Sequence, residues 1–384
     1  MLIHINNASD GVENLRWKKQ LLTLTPYQPG KSTESVQKLY NLEKIVKLAS
    51  NENPYGCSEK ALSALQTTSL NMAIYPDGYG TSLREGLSSF LRVEPENLIF
   101  GNGSDNIIQM ISRALLHPEA NTVMAIPTFS QYKHNAIIDG AEIREVPLIN
   151  GEHDLDQMLA AIDEKTNVVW LCSPNNPTGT YIPETKLVSF LEKVPPHTLI
   201  VLDEAYYEYV VAEDYYQSIN LTRNYSNLIV LRTFSKIYGL ASLRIGYGVA
   251  NPAIIKALEP AREPFNVNSF GQAAALASIG DQQFIQECSR KNRKNLARIY
   301  DFCDQNNLEY FPTQTNFILI DFKVDGDKVF QYLLEKGYIV RSGKALGFPT
   351  SVRITIGTEE ENEGLLNVIN EFLVKKETEE LTEK

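Results

Sequence analysis

The stretch NVVWLCSPNNPTG, residues 167–179, decides how the chain is read. Its first half is a short apolar run rich in β-branched residues, without strict alternation. Such a run suits a parallel strand buried on both faces. Its second half sets two prolines and a glycine around Asn175 and Asn176, which forces a tight loop at the strand's carboxyl end. Two later runs have the same shape. Residues 198–202 end in Asp203-Glu204-Ala205-Tyr206, and residues 227–231 lead into Thr233-Phe234-Ser235-Lys236. Ligands in open α/β sheets collect at the carboxyl ends of the strands, so these three loops form one candidate site.

Short strands are also expected at residues 97–100 and 122–126, with helical stretches near 155–163 and 184–193. This rhythm predicts an α/β fold with a mostly parallel sheet covered by helices. Gly101-Asn102-Gly103 leads into a helix that Ser104 is expected to cap, running to about His117. After residue 270 the pattern changes. A long helical segment is expected over 270–306, then strands at 316–321, 338–341 and 351–356, with helices at 325–336 and from 359. This reads as a smaller α+β domain. The expected organisation is an N-terminal arm and part of the small domain over 1–48, a large domain over 49–270, and the rest of the small domain over 271–384.

Bulk properties narrow the function. The chain has 384 residues, enough for two such domains, and a net charge of −11 with no basic stripe. Nucleic acid and anionic membranes are therefore disfavoured as partners. Four cysteines form no C-x-x-C pair and five histidines form no H-E-x-x-H, so reduced thiols, a cytoplasmic location and no metal site are expected. Neither a signal-peptide core nor a run of membrane-spanning length is visible.

Each candidate residue has an ordinary reading beside the chemical one. Asp203 at the end of a buried strand can cap the next segment, or can hold a proton on a heterocyclic nitrogen. Lys236, between the apolar Phe234 and Ile237, is a surface lysine or a desolvated Schiff-base amine. The loop before Ser104 and Asp105 is an ordinary helix start or a phosphate cradle. It is not a dinucleotide fingerprint, because Asn106 stands where the third glycine belongs, and no G-K-[ST] follows to make a P-loop. Arg341 and Arg353 are strand residues or guanidinium forks for anions. The ordered series of Asn176, Asp203, Tyr206, Lys236, Arg244 and Arg353 is far more specific than any member of it.

That series resembles the fold-type I pyridoxal-phosphate aminotransferases, and within them the histidinol-phosphate aminotransferase family of Bacillus type. The likeness runs from about residue 24 to 373. It rests on LTPYQPGK (24–31), KLASNENPYG (47–56), YPDGYG (75–80), CSPNNPTG (172–179), DEAYYEY (203–209), residues 232–247 and VRITIGT (352–358). The resemblance implies a large domain with a mostly parallel seven-stranded sheet, pyridoxal 5'-phosphate as cofactor, and transamination of L-histidinol phosphate with 2-oxoglutarate in histidine biosynthesis. It gives Lys236 as the cofactor-bearing lysine, Asp203 at the pyridine nitrogen, Tyr206 and Asn176 at the ring oxygen, and Phe129 on the ring face. Ser104, Asp105, Thr233, Ser235 and Arg244 hold the cofactor phosphate. Tyr75 reaches the neighbouring subunit's phosphate, implying a homodimer. Arg353, Arg341 and Tyr27 meet the substrate.

Asn106 departs from the family, which usually has an acid there; the change removes a favourable charge near a helix N-terminus. Two other readings share the pattern. An aromatic amino-acid aminotransferase on the same scaffold is one, and dual use is open because an imidazole pocket lined by Tyr27 and Tyr132 would also admit a phenyl ring; a phosphothreonine-type decarboxylase, which would need no keto acid, is the other. A cofactor-binding regulator is disfavoured by the missing basic DNA-binding segment.

Overall fold

The structure, a computed structural model, describes residues 15–22, 24–26, 31–67 and 72–382, with side chains to 376. In chain order the strands are β1 (Val46–Lys47), β2 (Leu98–Gly101), β3 (Asn121–Ile126), β4 (Glu142–Pro147), β5 (Thr166–Cys172), β6 (Leu199–Asp203), β7 (Leu228–Thr233), β8 (Gly246–Ala250), β9 (Glu309–Tyr310), β10 (Phe317–Asp321), β11 (Tyr338–Ile339), β12 (Arg341–Ser342) and β13 (Ser351–Thr355).

Seven of them form one sheet in the order β2-β8-β7-β6-β5-β3-β4. All pairings are parallel except those of β8, which runs antiparallel to both β2 and β7. The sheet confirms the α/β reading, and the apolar runs show why. Successive side chains of a strand point to opposite faces. Val169, Leu171, Ile200, Leu202, Leu228 and Val230 enter one core. Their neighbours Val168, Trp170, Leu199, Val201, Ile229 and Leu231 enter the other. Both faces are dry, so the strands need no polar alternation.

The register lines up the functional ends. Cys172 lies opposite Asp203, and Asp203 opposite Leu231. Beyond β7, Gly246 pairs with Gly101 on one side and Thr233 on the other. Carboxyl ends of β2, β5, β6 and β7 thus meet at one edge of the sheet.

A four-stranded antiparallel sheet, β12-β13-β10-β9, stands apart with its own core of Ile318, Ile320, Val352, Ile354, Leu296 and Ile299. β1 pairs in parallel with β11 beside it. The expected strand at 338–341 is in fact two short strands, β11 and β12, in different sheets. The expected helix over 270–306 is also two, Ser269–Ile279 and Gln282–Gln305, divided at Gly280-Asp281 where Asp281 caps the second. The first packs on the helices Glu59–Thr67 and Thr81–Leu91, against the large sheet. Strands β4 and β8 and the helix Ser130–Asp139 carried no signal that separated them from loops.

Candidate active site

The loop after β5 is built by Asn175. Its side chain is fully buried and donates to Thr178 Oγ1 (2.9 Å) while accepting from Thr128 Oγ1 (2.7 Å). Gly179 closes the turn at φ 78°, where a Cβ would collide with Thr313. With Asn175 turned inward, Asn176 is left to face Arg353, whose Nη1 donates to its Oδ1 at 2.6 Å. Arg353 is buried in β13, and its Nη2 donates to the Ala49 carbonyl (2.8 Å). Arg341 lies directly across the strand pair from Arg353.

Asp203 ends β6 and is almost fully buried. Its Oδ1 accepts from the Ala205 N–H (3.2 Å) and its Oδ2 from the Tyr132 hydroxyl (2.7 Å). Burial pushes its carboxyl up to about 6, and the Tyr132 hydrogen bond pulls it down against that trend. Tyr206, also buried, accepts from Asn51 Nδ2 (2.9 Å). Asn51 is braced in turn by Thr355 of β13 through both its N–H and its side-chain oxygen.

Lys236 follows β7 in a turn pinned by Phe234 and Ile237, both buried in the core. With its neighbours facing inward, Lys236 projects into the site, half-buried, 5.6 Å from the centre of the Tyr206 ring. Its Nζ donates to the Ser50 carbonyl (3.3 Å). Burial, then the Arg353 and Arg244 charges, lower the amine from its ordinary 10.5 to about 8.

Beside it the helix Ser104–Leu115 begins. Gly103, not Ser104, is the cap, at φ 80° without a side-chain bond; Ser104 is the first helical residue. A Cβ at Gly103 would come within 2.5 Å of Arg244 Nη2, and one at Gly246 within 2.5 Å of the Ser104 nitrogen. Arg244 Nη1 donates to Ser235 Oγ (3.2 Å), and its Nη2 reaches Asp105 Oδ2 (3.4 Å). The Ser235 N–H donates to Thr233 Oγ1 (3.0 Å). Arg244 holds φ 52°, a left-handed conformation that costs a non-glycine residue about 1 kcal/mol and clusters at functional sites. The result is a pocket of backbone N–H groups, two hydroxyls and a guanidinium at a helix N-terminus, suited to an oxyanion.

Phe129, just before the helix Ser130–Asp139, sets its ring edge-on to Tyr132 at 5.5 Å. Tyr75 stands elsewhere, 77% exposed and stacked on Phe265 (4.6 Å). Tyr27 lies outside the described residues. Tyr132 does not line a pocket as expected: it is fully buried. Asn106 also has a local reason. Its amide donates to Glu263 (3.2 Å) and its oxygen accepts from Asn266 (2.9 Å), so a carboxylate there would face another carboxylate. Among the described residues no cluster of His, Cys, Asp and Glu is arranged to hold a metal, and no helix is long and apolar enough to cross a membrane.

Sequence reading missed Asn51 and the buried pair Glu204–Arg232 (2.9 Å), which is completed by Ser218 and Tyr215, and it gave Tyr132 a place in the substrate pocket rather than its hydrogen bond to Asp203. For Tyr132 the signal was its place one helical turn beyond Phe129.

A lysine, an acid and an oxyanion cradle meet at the strand ends of this sheet. The family described as aminotransferase class I and II matches residues 43–369, and the chain belongs to that family. Within it the chain falls among the histidinol-phosphate aminotransferases. It is 64% identical over 356 residues to the histidinol-phosphate aminotransferase of Bacillus licheniformis, covering 92% of this chain and 99% of the relative. It is 59% identical to that of a Geobacillus species, covering 94% and 99%. The crystal structure of histidinol-phosphate aminotransferase from Sinorhizobium meliloti in complex with pyridoxal-5'-phosphate matches with a TM-score of 0.86 and 27% identity, over 94% of this chain and 98% of that one.

Proposed function

We propose that the chain transfers the amino group of L-histidinol phosphate to 2-oxoglutarate, using pyridoxal 5'-phosphate, in the cytoplasm and as a homodimer. The observation that carries this reading is the meeting of Lys236 and Asp203, at the strand ends of the seven-stranded sheet, with Arg353 of β13. The residues fit the cofactor. Gly103 and Gly246 leave room for no Cβ where the helix start approaches Arg244 and Ser235, and that cradle suits a phosphate ester. Bound there, the cofactor supplies a carbonyl that condenses with amines and a ring that accepts electrons released at the substrate Cα.

The chain's own groups supply the rest. Lys236, lowered to about 8, is partly neutral near pH 7, so its Nζ would hold the cofactor carbonyl and, once displaced by the substrate amine, would be free to take the proton from the substrate Cα. Asp203 presents a carboxylate in a dry pocket, where it keeps a heterocyclic N–H protonated. Asn176 and Tyr206 offer polar groups to the ring oxygen, Phe129 an aromatic face, and Ser104, Asp105, Thr233, Ser235 and Arg244 the phosphate site. Arg353 takes the carboxylate of glutamate, with Arg341 and Tyr27 on the substrate side. Tyr75, exposed on the surface, would complete the partner's phosphate site.

A panel of L-histidinol phosphate, phenylalanine and tyrosine with 2-oxoglutarate tests the proposal. Turnover of histidinol phosphate well above the other two is expected, and its absence would overturn the assignment.

A further inference from the structure

We propose that Tyr132 is a positioning residue for the reaction: its hydroxyl holds the Asp203 carboxylate ionised and aimed at the cofactor's ring nitrogen. The inference rests on the proposed cofactor role of Asp203. The geometry leaves the phenol little freedom. Its ring is fully buried and stacks on Trp170 at 4.8 Å, 11° from parallel. The Trp170 indole is itself anchored, donating from Nε1 to Thr122 Oγ1 (2.9 Å), which donates on to the Val168 carbonyl (2.8 Å). Phe129, expected on the cofactor ring face, meets the Tyr132 ring edge-to-face at 5.5 Å. Two positions that serve the cofactor, one beneath its nitrogen and one on its face, are thus tied together through one side chain.

The chemistry favours a phenol in this place. A cation would neutralise Asp203 and compete with a pyridinium for it. A neutral O–H lowers the cost of a buried carboxylate yet leaves its charge available. Burial, with the Asp203 charge, keeps the Tyr132 hydroxyl protonated far into the alkaline range, so it remains a donor. The Cys172 thiol is pushed up to about 12 by burial, and the Tyr206 phenol is raised as well. Glu204 is paired with Arg232, and Asp105 lies by Arg244.

The test is cofactor retention by the full-length enzyme as a function of pH, read by equilibrium dialysis of pyridoxal phosphate. Wild-type affinity should fall as pH drops through about 6. In Tyr132→Phe that midpoint should rise by about one pH unit, giving about tenfold weaker retention at pH 5 and convergence with wild type above pH 8. In an Asp203→Asn background, Tyr132→Phe should add nothing. A pH-independent loss, or additive losses in the double variant, would mean a merely structural role and overturn the proposal. Should Tyr132→Phe fail to fold, 3-fluorotyrosine at position 132, a stronger donor of similar size, should lower the midpoint; an unmoved midpoint overturns the proposal. If Asp203→Asn itself retains cofactor like wild type, the cofactor reading of Asp203 falls and this inference falls with it. If only Tyr132→Phe matches wild type, the inference alone falls.

Discussion

Lys236 and the two arginines carry the sharpest expectations at the scale of single residues. An amine lowered from 10.5 to about 8 is protonated below that value and nucleophilic above it. Capture of pyridoxal phosphate by the apoenzyme should therefore quicken as pH rises toward 8 and level off beyond it, as followed by stopped-flow absorbance. Lys236→Ala should abolish both the borohydride-trappable adduct and the visible absorbance of the lysine-bound cofactor; retention of either would assign the anchor to another lysine. Arg353→Lys loses the planar fork and should raise the KM for 2-oxoglutarate by roughly 10- to 100-fold. Arg341→Gln should instead raise the KM for histidinol phosphate more than that for glutamate, and equal effects would deny it the phosphate. Lys236, Asp203 and Arg353 were legible as a spaced set, because each loop follows an apolar strand whose end is recognisable. The hydrogen bonds of Asn51 and Tyr132 were not, since their partners lie 155 and 71 residues away and no local pattern encodes such pairings.

Strand ends and helix starts set a second group of outcomes. The ends of β6 and β7 are clamped by Glu204 and Arg232, both buried, with the guanidinium 3.3 Å over the Tyr207 ring. Glu204→Gln leaves a buried cation without its counter-charge and should cost about 3–5 kcal/mol of stability in urea unfolding. A loss under about 1 kcal/mol would show that the pair is better solvated than its burial implies. At the helix start, Gly103→Ala demands a left-handed alanine and pushes on Arg244, so it should weaken cofactor retention while leaving secondary structure unchanged by circular dichroism. The helix itself was readable from its glycine-rich entry, but the cap fell one residue earlier than Ser104, because only glycine tolerates the backbone needed there. The division of the 270–306 segment at Gly280-Asp281 was likewise obscured, since both halves are strongly helical and their different packing partners decide the break.

The whole molecule places its candidate site between two sheets, with Arg353 and Thr355 from β13 reaching residues 49–51 and Asn176 from the large sheet. Tyr75 and Phe265, stacked and exposed, offer an aromatic pair to a second copy. If sites are shared, Tyr75→Ala and Lys236→Ala should complement. Hybrids formed by co-refolding the two weakly active variants would hold one intact site each, restoring roughly a quarter of wild-type activity. No recovery would confine each site to one chain. What the sequence determined by itself was the α/β class, the three strand–loop units and the order of their chemical residues, because burial on both faces and tight turns leave local signatures. What only the tertiary structure decided was the strand order, the antiparallel insertion of β8, the pairing of Arg341 with Arg353 and the hydroxyl beneath Asp203. Those depend on contacts between segments far apart in the chain, whose energies are set by packing rather than by neighbours in sequence. The loop at 167–179 shows both: its turn is written in Pro174, Pro177 and Gly179, but Asn176 faces Arg353 only because two sheets meet.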